Sequence, residues 1–201
     1  MEEKKRKSGL RRDNILEAAA WLFKRKSFIR TSLDEVASRA GIKKATIFYY
    51  FPSKEHLLYE VLCKSSRRGL QIHRSVYDSS VSPRENLEKV IKGHLKFNLH
   101  DGFGGISIFE QKNLSPVLRK SYTALRDEYE QFFRDVVKEA MSAGQIKDGD
   151  FRLQTRLILG LINSVVHWFK QSLPLSIEDV GDEICKLIFC DEFTDTKCAV
   201  E

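Results

Sequence analysis

The sequence predicts an all-α protein of about nine helices arranged in two domains. Apolar residues recur at helical spacing along most of the 201 residues, whereas the alternating pattern of a strand is almost absent. Ser residues followed by Pro or by an acidic residue mark the starts of several helices. The positive charge is concentrated in the N-terminal third, which indicates that this part has a task of its own.

The first helix is predicted over residues 8–26, where Ile15, Ala19 and Phe23 recur at intervals of four. Ser32 followed by Glu35 predicts a capping box for a short second helix. Because glycine tolerates the backbone that ends a helix, we expect this second helix to stop just before residue 41.

A third short helix is predicted over residues 43–50, and Pro52 ends it because proline cannot continue a helix. Ser53 then caps a longer fourth helix. Further starts are predicted at Ser82-Pro83, at Ser115-Pro116 and at Ser176, and a long helix is predicted over residues 150–171.

The charge distribution favours a polyanion as partner. Residues 1–75 hold 18 Lys and Arg against 8 Asp and Glu, whereas residues 76–201 hold 16 against 20. Clustered positive charge attracts phosphate backbones or anionic lipid headgroups. The longest apolar run, LILGLIN to VVHWF, is interrupted by polar residues and falls short of the roughly 20 residues that a membrane span needs. The N-terminus, MEEKKRKSGLRRDN, lacks the apolar segment of a signal peptide. We therefore expect a cytoplasmic protein with no membrane partner.

Nothing in the sequence indicates catalysis or metal binding. Cys63, Cys185, Cys190 and Cys198 lack CxxC spacing, so reduced thiols are expected, and the histidines lack HExxH spacing. The glycine-rich stretch DGFGG follows no predicted strand and precedes no Lys-Ser/Thr pair, which indicates a helix connection. We expect no enzyme, no catalytic residue, no metal and no cofactor.

The second and third helices, joined by the glycine-containing turn RAGIK, predict a helix-turn-helix. Ile47 and Phe51 are four residues apart and should pack on Val36 and Phe23. Lysines can meet phosphates, threonine and tyrosine hydroxyls can donate to phosphate or base, and backbone N–H groups at helix starts suit phosphate. The predicted DNA-binding residues are Thr31, Ser32, Lys43, Lys44, Ala45, Thr46, Phe48, Tyr49, Tyr50 and Lys54.

The stretch from ILEAAAWLF through TSLDEVASRAGIKKATIFYYFPSKEHLL resembles the DNA-binding domain of the TetR family of transcriptional regulators, and the run F-x-SKE-x-L is the specific part of the match. The resemblance implies a helix-turn-helix DNA-binding domain over residues 1–54 and a helical effector-binding and dimerisation domain over residues 55–201. It also implies a homodimer and places Lys54 at a phosphate-contacting position.

Three positions depart from the family's pattern. Lys43 stands where the family often has a Ser cap, and Ala45 stands where Gly is frequent. Phe48 stands where a Tyr commonly offers its hydroxyl to a phosphate. We expect altered DNA contacts at these positions, with Phe48 packing or meeting a thymine methyl group.

The last two helices are expected to form the dimer interface. The segment RLQTRLILGLINSVVHWF is apolar on two faces, so one face can build the core while the other meets a partner. The resemblance implies that it pairs with IEDVGDEICKLIF and with copies of both in a four-helix interface. The apolar stripe of IEDVGDEICKLIF consists of Ile177, Val180, Ile184, Leu187 and Ile188. A two-fold dimer would bind a palindromic operator in double-stranded DNA.

The middle helices are rich in aromatic residues, which favours an apolar cavity. The run GLINSVVHWFKQSLPLSIEDVGDEI resembles the C-terminal part of TetR-family repressors that respond to acyl-CoA thioesters. We therefore expect a repressor released by a small hydrophobic effector, with a long-chain acyl-CoA as the candidate. The predicted ligand-binding residues are Phe97, Phe103, Phe109, Tyr122, Arg126, Tyr129, Phe133, Asn163, His167 and Trp168.

Two alternatives stay open at this point. One is a TetR-type regulator of a multidrug efflux gene that responds to aromatic or cationic compounds. The other is a constitutive DNA-binding protein without an effector. A ligand that lowers operator affinity would separate a regulator from a constitutive binder.

Overall fold

The computed structural model describes residues 2–170 and 172–189, with only the backbone described for residues 2–7. These residues form nine α-helices and one short 3-10 helix, without a β-strand beyond an isolated bridge between Ile146 and Phe189, so the all-α prediction is confirmed. The helices are α1 (Glu2–Arg30), α2 (Leu33–Arg39), α3 (Lys44–Tyr50), α4 (Lys54–Val76), α5 (Pro83–His100), α6 (Ile106–Glu110), α7 (Pro116–Ser142), α8 (Phe151–Trp168) and α9 (Ile177–Ile188), with the 3-10 helix (Gln111–Asn113) between α6 and α7.

Helix α1 begins six residues before the predicted start, because the basic N-terminal residues continue it. The predicted end at residue 26 corresponds to a break in the helix. Ser27 has φ 68° and ψ 160°, which interrupts the helical backbone, and one further turn follows. A non-glycine residue in this conformation is strained, because its Cβ crowds the backbone.

The predicted caps of the N-terminal helices are confirmed. Ser32 and Glu35 form a reciprocal capping box at the start of α2, and Gly41 follows α2 with a φ of 65°. The hydroxyl of Ser53 accepts a hydrogen bond from the backbone N–H of His56 in the first turn of α4. These side chains satisfy N–H groups that the helix itself leaves unpaired.

The predicted caps of α5 and α9 are confirmed as well. Ser82 accepts from the N–H of Glu85 in α5, and Ser176 forms a capping box with Asp179 in α9. Helix α8 ends at Trp168, three residues before the predicted end, because the backbone becomes extended at the next residue. Helix α6 and the 3-10 helix were not predicted, since both are too short to show periodicity.

The chain divides into two compact units. The first contains the residues up to Ile72 together with Lys96–Glu130, and the second contains His73–Leu95 together with the residues from Gln131 onward. The core of the first unit joins residues of α1 to α4 with Phe103, Ile106, Leu114 and Tyr122. The predicted functional division at residue 54 therefore does not coincide with a boundary of packing, and it remains a prediction about function.

Three further features of the described residues concern membrane helices, thiols and metal ligands. No helix within the described ranges is both long and apolar enough to cross a membrane. Cys63 and Cys185 are buried free thiols, whereas Cys190 and Cys198 lie outside the described residues. The described part of the chain also holds no group of three or more potential metal ligands among its His, Cys, Asp and Glu residues.

Candidate DNA-binding and ligand-binding sites

Helix α3 is fixed by its buried face. Ile47 and Phe51 are 0% and 2% exposed, and both belong to the core cluster that contains Val36 and Phe23, as the spacing predicted. Since a helix turns by about 100° per residue, burial of this face directs the intervening residues outward.

The outward face of α3 carries most of the predicted DNA-binding residues. Tyr49 is 80% exposed and Phe48 is 49% exposed, which is unusual for large aromatic side chains on a monomeric surface. Lys43, Lys44 and Ala45 are also exposed, whereas Thr46 and Tyr50 are half-buried.

Tyr50 connects the end of α3 to the start of α1. Its hydroxyl lies 3.2 Å from the hydroxyl of Ser8, within hydrogen-bonding distance. Its ring meets the ring of Tyr49 edge-on, with 5.0 Å between the ring centroids. The Tyr50 side chain therefore holds α1 and α3 together and supports the exposed ring of Tyr49.

Two predicted residues before α2 make intramolecular hydrogen bonds. Thr31 is 2% exposed, and its hydroxyl donates to the carbonyl oxygen of Ser27 over 2.8 Å. The hydroxyl of Ser32 is exposed and belongs to the capping box with Glu35. Both hydroxyls thus stabilise the turn before α2 in the free protein.

Lys54 lies at the start of α4 and packs on the end of α1. Its ammonium donates to the carbonyl oxygen of Ile29 over 3.4 Å and lies 4.3 Å from the ring centroid of Phe28. Burial lowers the pKa of Lys54, and the carboxylates of Glu110 and Glu35 oppose this effect. The Lys54 charge is thus held in one place by its contacts with α1.

Two acidic residues in the first turn of α2 face cations from neighbouring helices. Asp34 forms an ion pair with Lys44 of α3, with 2.8 Å between Oδ2 and Nζ, and Glu35 forms one with Lys26 of α1. Hydrogen bonds from Lys26 and from the backbone of Ser32 lower the pKa of Glu35 to about 2. The pairing of Asp34 with a predicted DNA-binding residue was not foreseen.

Four of the predicted ligand-binding residues pack within the first unit, three of them buried and Tyr129 half-buried. The rings of Phe97 and Tyr129 close over Gly69 of α4, where a Cβ atom would come within 2.9 Å of both rings. The hydroxyl of Tyr122 lies 3.0 Å from that of Ser66, and burial raises the pKa of Tyr122. The fourth is Phe103, whose carbonyl oxygen accepts a hydrogen bond from Ser65.

Phe133 and Asn163 lie in the second unit, beside two histidines. The ring of Phe133 meets those of His73 and His94 edge-on, with centroids 5.0 and 5.4 Å apart. The Nε2 atom of His94 lies 2.8 Å from Oδ1 of Asn163. Burial lowers the pKa of both histidines, and the neighbouring His94 also lowers that of His73.

The remaining predicted ligand-binding residues lie nearer the surface. Phe109 of α6 is 39% exposed, and Arg126 is paired with Asp127 and Glu130. His167 and Trp168 are exposed near the end of α8, so the structure does not bring them to either interior cluster. Helical spacing explains this placement of Trp168, because residues 157, 161 and 168 share one face.

Sequence reasoning missed the residues of α4 and α5 beside the aromatic rings. Ser66, Gly69 and His73 follow one another at helical spacing along α4, and His94 lies on α5. The available signal was that these small and polar residues continue the apolar face of α4 that carries Leu58 and Leu62.

An open cleft of about 610 Å³ lies on the first unit, between α1, the end of α2, α4 and the loop after α5. Trp21, Arg39, Arg68 and Phe103 are among its lining residues. The guanidinium carbon of Arg39 lies 3.4 Å from the ring centroid of Trp21, and Arg68 forms an ion pair with Asp101. These polar contacts make the cleft unlike the apolar interior that was predicted for the effector.

Helix α8 uses its two apolar faces differently. Ile158 and Ile162 are buried, whereas Leu157 is 61% exposed and shares its stripe with two other exposed leucines, Leu153 and Leu161. The four-residue spacing of these leucines gives α8 an uncovered apolar face in the described chain.

The interpretation of α9 as an interface stripe needs correction. Ile177, Val180 and Ile184 are buried in the described chain, Ile188 is partly buried and Leu187 is 77% exposed. The stronger apolar stripe of an amphipathic helix packs into its own core, so only Leu187 of this set is free to meet a partner.

Comparison with protein families gave two matches. Residues 15–61 match the model described as bacterial regulatory proteins, tetR family, and residues 80–190 match the model described as tetracyclin repressor-like, C-terminal domain. The two matches cover the helix-turn-helix and more than half of the chain.

Curated proteins and solved structures are similar over nearly the whole length. The HTH-type transcriptional repressor KstR2 of Mycolicibacterium smegmatis is 27% identical over 182 residues, which are 89% of this chain and 88% of that protein. The fatty acid metabolism regulator protein of Bacillus subtilis is 23% identical over 179 residues, which are 87% of this chain and 91% of that protein.

Solved structures that are similar to this chain include the following two crystal structures. The TetR family transcriptional regulator PfmR from Thermus thermophilus has a TM-score of 0.75 and 28% identity, over 86% of this chain and 95% of that one. AibR in complex with isovaleryl coenzyme A and operator DNA has a TM-score of 0.77 and 23% identity, over 89% of this chain and 98% of that one.

Proposed function

The chain belongs to the TetR family of bacterial regulatory proteins, and from this premise we propose that it represses transcription by binding a palindromic operator as a homodimer. Members of this family are DNA-binding transcriptional regulators and not enzymes. We further propose that it acts in the cytoplasm and that an acyl-CoA thioester releases it from the operator.

The exposed face of α3 carries the proposal for DNA binding. Ile47 and Phe51 anchor α3 in the core, while Lys44 and the 80% exposed Tyr49 point away from it. Lys44 would meet a phosphate or a base edge, and Tyr49 would combine apolar contact with a hydroxyl donor. Such a face on a short helix of a helix-turn-helix is suited to the major groove.

The uncovered leucines of α8 support a second copy of the chain as partner. Leu153, Leu157 and Leu161 form an exposed apolar stripe, and Leu187 of α9 is exposed as well. Contiguous apolar surface favours association, and most oligomers of soluble proteins are two-fold dimers. Such a dimer would present two copies of α3 to half-sites about 34–36 Å apart, or a multiple of this spacing.

The aromatic rings packed against α4 support an apolar effector. Phe97 and Tyr129 lie against Gly69, and Ser66 with Tyr122 offers hydroxyl groups in the same unit. An acyl chain suits such walls, and the hydroxyls could bond a thioester carbonyl. One relative is named a fatty acid metabolism regulator, and AibR was crystallised with isovaleryl coenzyme A, although at 23% identity AibR bears on the fold alone.

Helix α4 offers a route from effector to DNA. Its first half packs with α1 to α3 through Leu57, Leu58 and Leu62, and Ser66 and Gly69 follow further along the same helix. A ligand that moves α4 would therefore move the helices that hold α3. It can lower operator affinity only if it binds the two conformations of the protein with different affinity.

Selection of operator DNA followed by effector titration tests the proposal. The full-length protein is used to enrich duplexes from a random pool, and a palindromic consensus is expected. Acyl-CoAs of graded chain length are then titrated against the complex. We expect release at micromolar concentration, and operator should weaken acyl-CoA binding by the same factor. Enrichment of no common sequence would contradict the DNA-binding part.

A regulator of an efflux gene is the second candidate, because the rings of Phe97 and Tyr129 would also stack on a flat aromatic compound. The same titration is therefore repeated with an aromatic cation. Release by that compound and not by any acyl-CoA would favour the efflux regulator. Absence of release by either class would favour a constitutive DNA-binding protein.

A further inference from the structure

We propose that Asp34 is a specificity-determining residue that holds the ammonium group of Lys44 and so limits the binding of random DNA. The Asp34 carboxylate lies 2.8 Å from Lys44 Nζ, across the helix-turn-helix. The proposal rests on the proposed contact of α3 with the duplex.

Asp34 has a different task from its neighbour Glu35. Glu35 completes the capping box with Ser32 and pairs with Lys26 of α1, so it stabilises the start of α2. The capping box does not involve Asp34, whose side chain is 68% exposed and is directed to α3. The start of α2 therefore keeps its capping box without the Asp34 carboxylate.

The ion pair competes with DNA for the charge of Lys44. An exposed lysine normally raises the affinity of a protein for any duplex, because it displaces counterions from a phosphate. Lys44 can do so only if it leaves or shares the Asp34 carboxylate, which also repels the phosphates itself. An exposed ion pair of this kind is weak, so a well-placed acceptor can draw Lys44 away.

The effect of Asp34 should differ between operator and random DNA. At the operator, α3 is seated in the groove, and Lys44 can find a base acceptor such as the O6 and N7 atoms of guanine. In a complex with random DNA, Lys44 would meet only phosphates, and the Asp34 carboxylate offsets their attraction for its ammonium group. Asp34 therefore lowers affinity for random DNA more than affinity for the operator.

The test compares wild type with Asp34→Asn, Lys44→Ala and the double variant, each as the full chain. Affinity is measured for the selected operator and for a random duplex of equal length over a range of KCl concentrations. Asp34→Asn should raise the affinity for random DNA by about three- to tenfold and steepen the salt dependence of that binding by about one unit. Operator affinity should rise less than twofold, so the ratio of operator to random affinity falls.

Two further variants separate this role from a general effect of charge. In the Lys44→Ala background, Asp34→Asn should leave the ratio unchanged, because no ammonium remains to be released. The Lys43→Ala background removes the exposed neighbouring lysine instead. In this background Asp34→Asn should lower the ratio of operator to random affinity, as it does in wild type. Asp34→Glu should keep the wild-type ratio, since its carboxylate can still reach Lys44. Thermal melting of each variant checks that it is folded.

The proposal would be overturned if Asp34→Asn raised the affinities for operator and random DNA equally, or if the ratio of the two affinities still fell without Lys44. Either result would mean that Asp34 acts only by repelling phosphates, and the proposed DNA contact of α3 would stand. If Lys44→Ala itself changes neither affinity nor salt dependence, the proposed contact of Lys44 with DNA fails, and the role of Asp34 fails with it.

Discussion

The Nε2 atom of His94 lies 2.8 Å from Oδ1 of Asn163, and the His94 ring stacks on that of His73 with 5.5 Å between centroids. Burial lowers the pKa of His94 to about 4, although the bond to Asn163 opposes the shift. In the unfolded chain a histidine titrates near 6.5. Between these two values the unfolded state binds more protons, so stability is lost as the pH falls from about 6.5 to about 4.

Acidification from pH 7.5 to pH 5 should therefore lower the free energy of unfolding by about 2 kcal/mol through His94 alone. His73 should act in the same direction, because its pKa is also lowered. Urea denaturation at the two pH values measures the loss. The control is His94→Gln, which should be less stable at pH 7.5 but should lose less on acidification. An equal loss in both proteins would contradict the assignment.

Replacement of Ser27 by glycine should stabilise the protein by about 1 kcal/mol, since φ 68° and ψ 160° suit glycine and strain other residues. Denaturant unfolding followed by circular dichroism measures the change. The matched control is Ser121→Gly in the interior of α7, which should destabilise by about 0.5–1 kcal/mol. Loss of stability in Ser27→Gly would mean that this backbone is not strained.

Lys54→Ala should weaken binding to operator and random DNA alike and reduce the salt slope by about one unit, as expected for a phosphate contact. The lost contact with Phe28 should cost some stability as well, so affinity is measured at a temperature well below unfolding. Lys186→Ala on α9 removes the same charge and serves as the control, with DNA binding unchanged. An unaltered salt slope in Lys54→Ala would exclude the phosphate contact.

Leu157→Arg should place a charge in the proposed dimer face and yield monomers that bind the palindromic operator weakly. Sedimentation velocity measures the oligomeric state. Val117→Arg is the matched control, because Val117 is a 75% exposed apolar residue on another helix and should leave the dimer intact. If Leu157→Arg sediments as wild type does, the interface lies elsewhere.

Gly69→Ala should weaken the response to acyl-CoA, because the new Cβ atom would lie 2.9 Å from the rings of Phe97 and Tyr129 and force both to move. Overpacking of this kind also costs about 1–3 kcal/mol of stability. Release of operator DNA by acyl-CoA is measured well below the unfolding temperature. Gly9→Ala in α1 is the control, since its Cβ would meet no atom within 4 Å. An unchanged release curve for Gly69→Ala would place the effector away from α4.

Local features of the sequence determined most of the fold. The caps at Ser32, Ser53 and Ser176 and the anchoring pair Ile47 and Phe51 were all predicted, because hydrogen bonds and helical spacing connect residues only three or four positions apart. The resemblance of this region to the TetR family follows from the same short segment and was confirmed by the family match.

The tertiary structure decided which faces are covered and which distant residues meet. Periodicity showed two apolar stripes on α8, but packing of the chain left Leu157 exposed and buried Ile184 of α9. The ion pair of Asp34 with Lys44 likewise depends on the angle between two helices, which no spacing in the sequence reveals. Local hydrogen bonds can be read along the chain, whereas burial and long-range pairing follow from how the helices pack together.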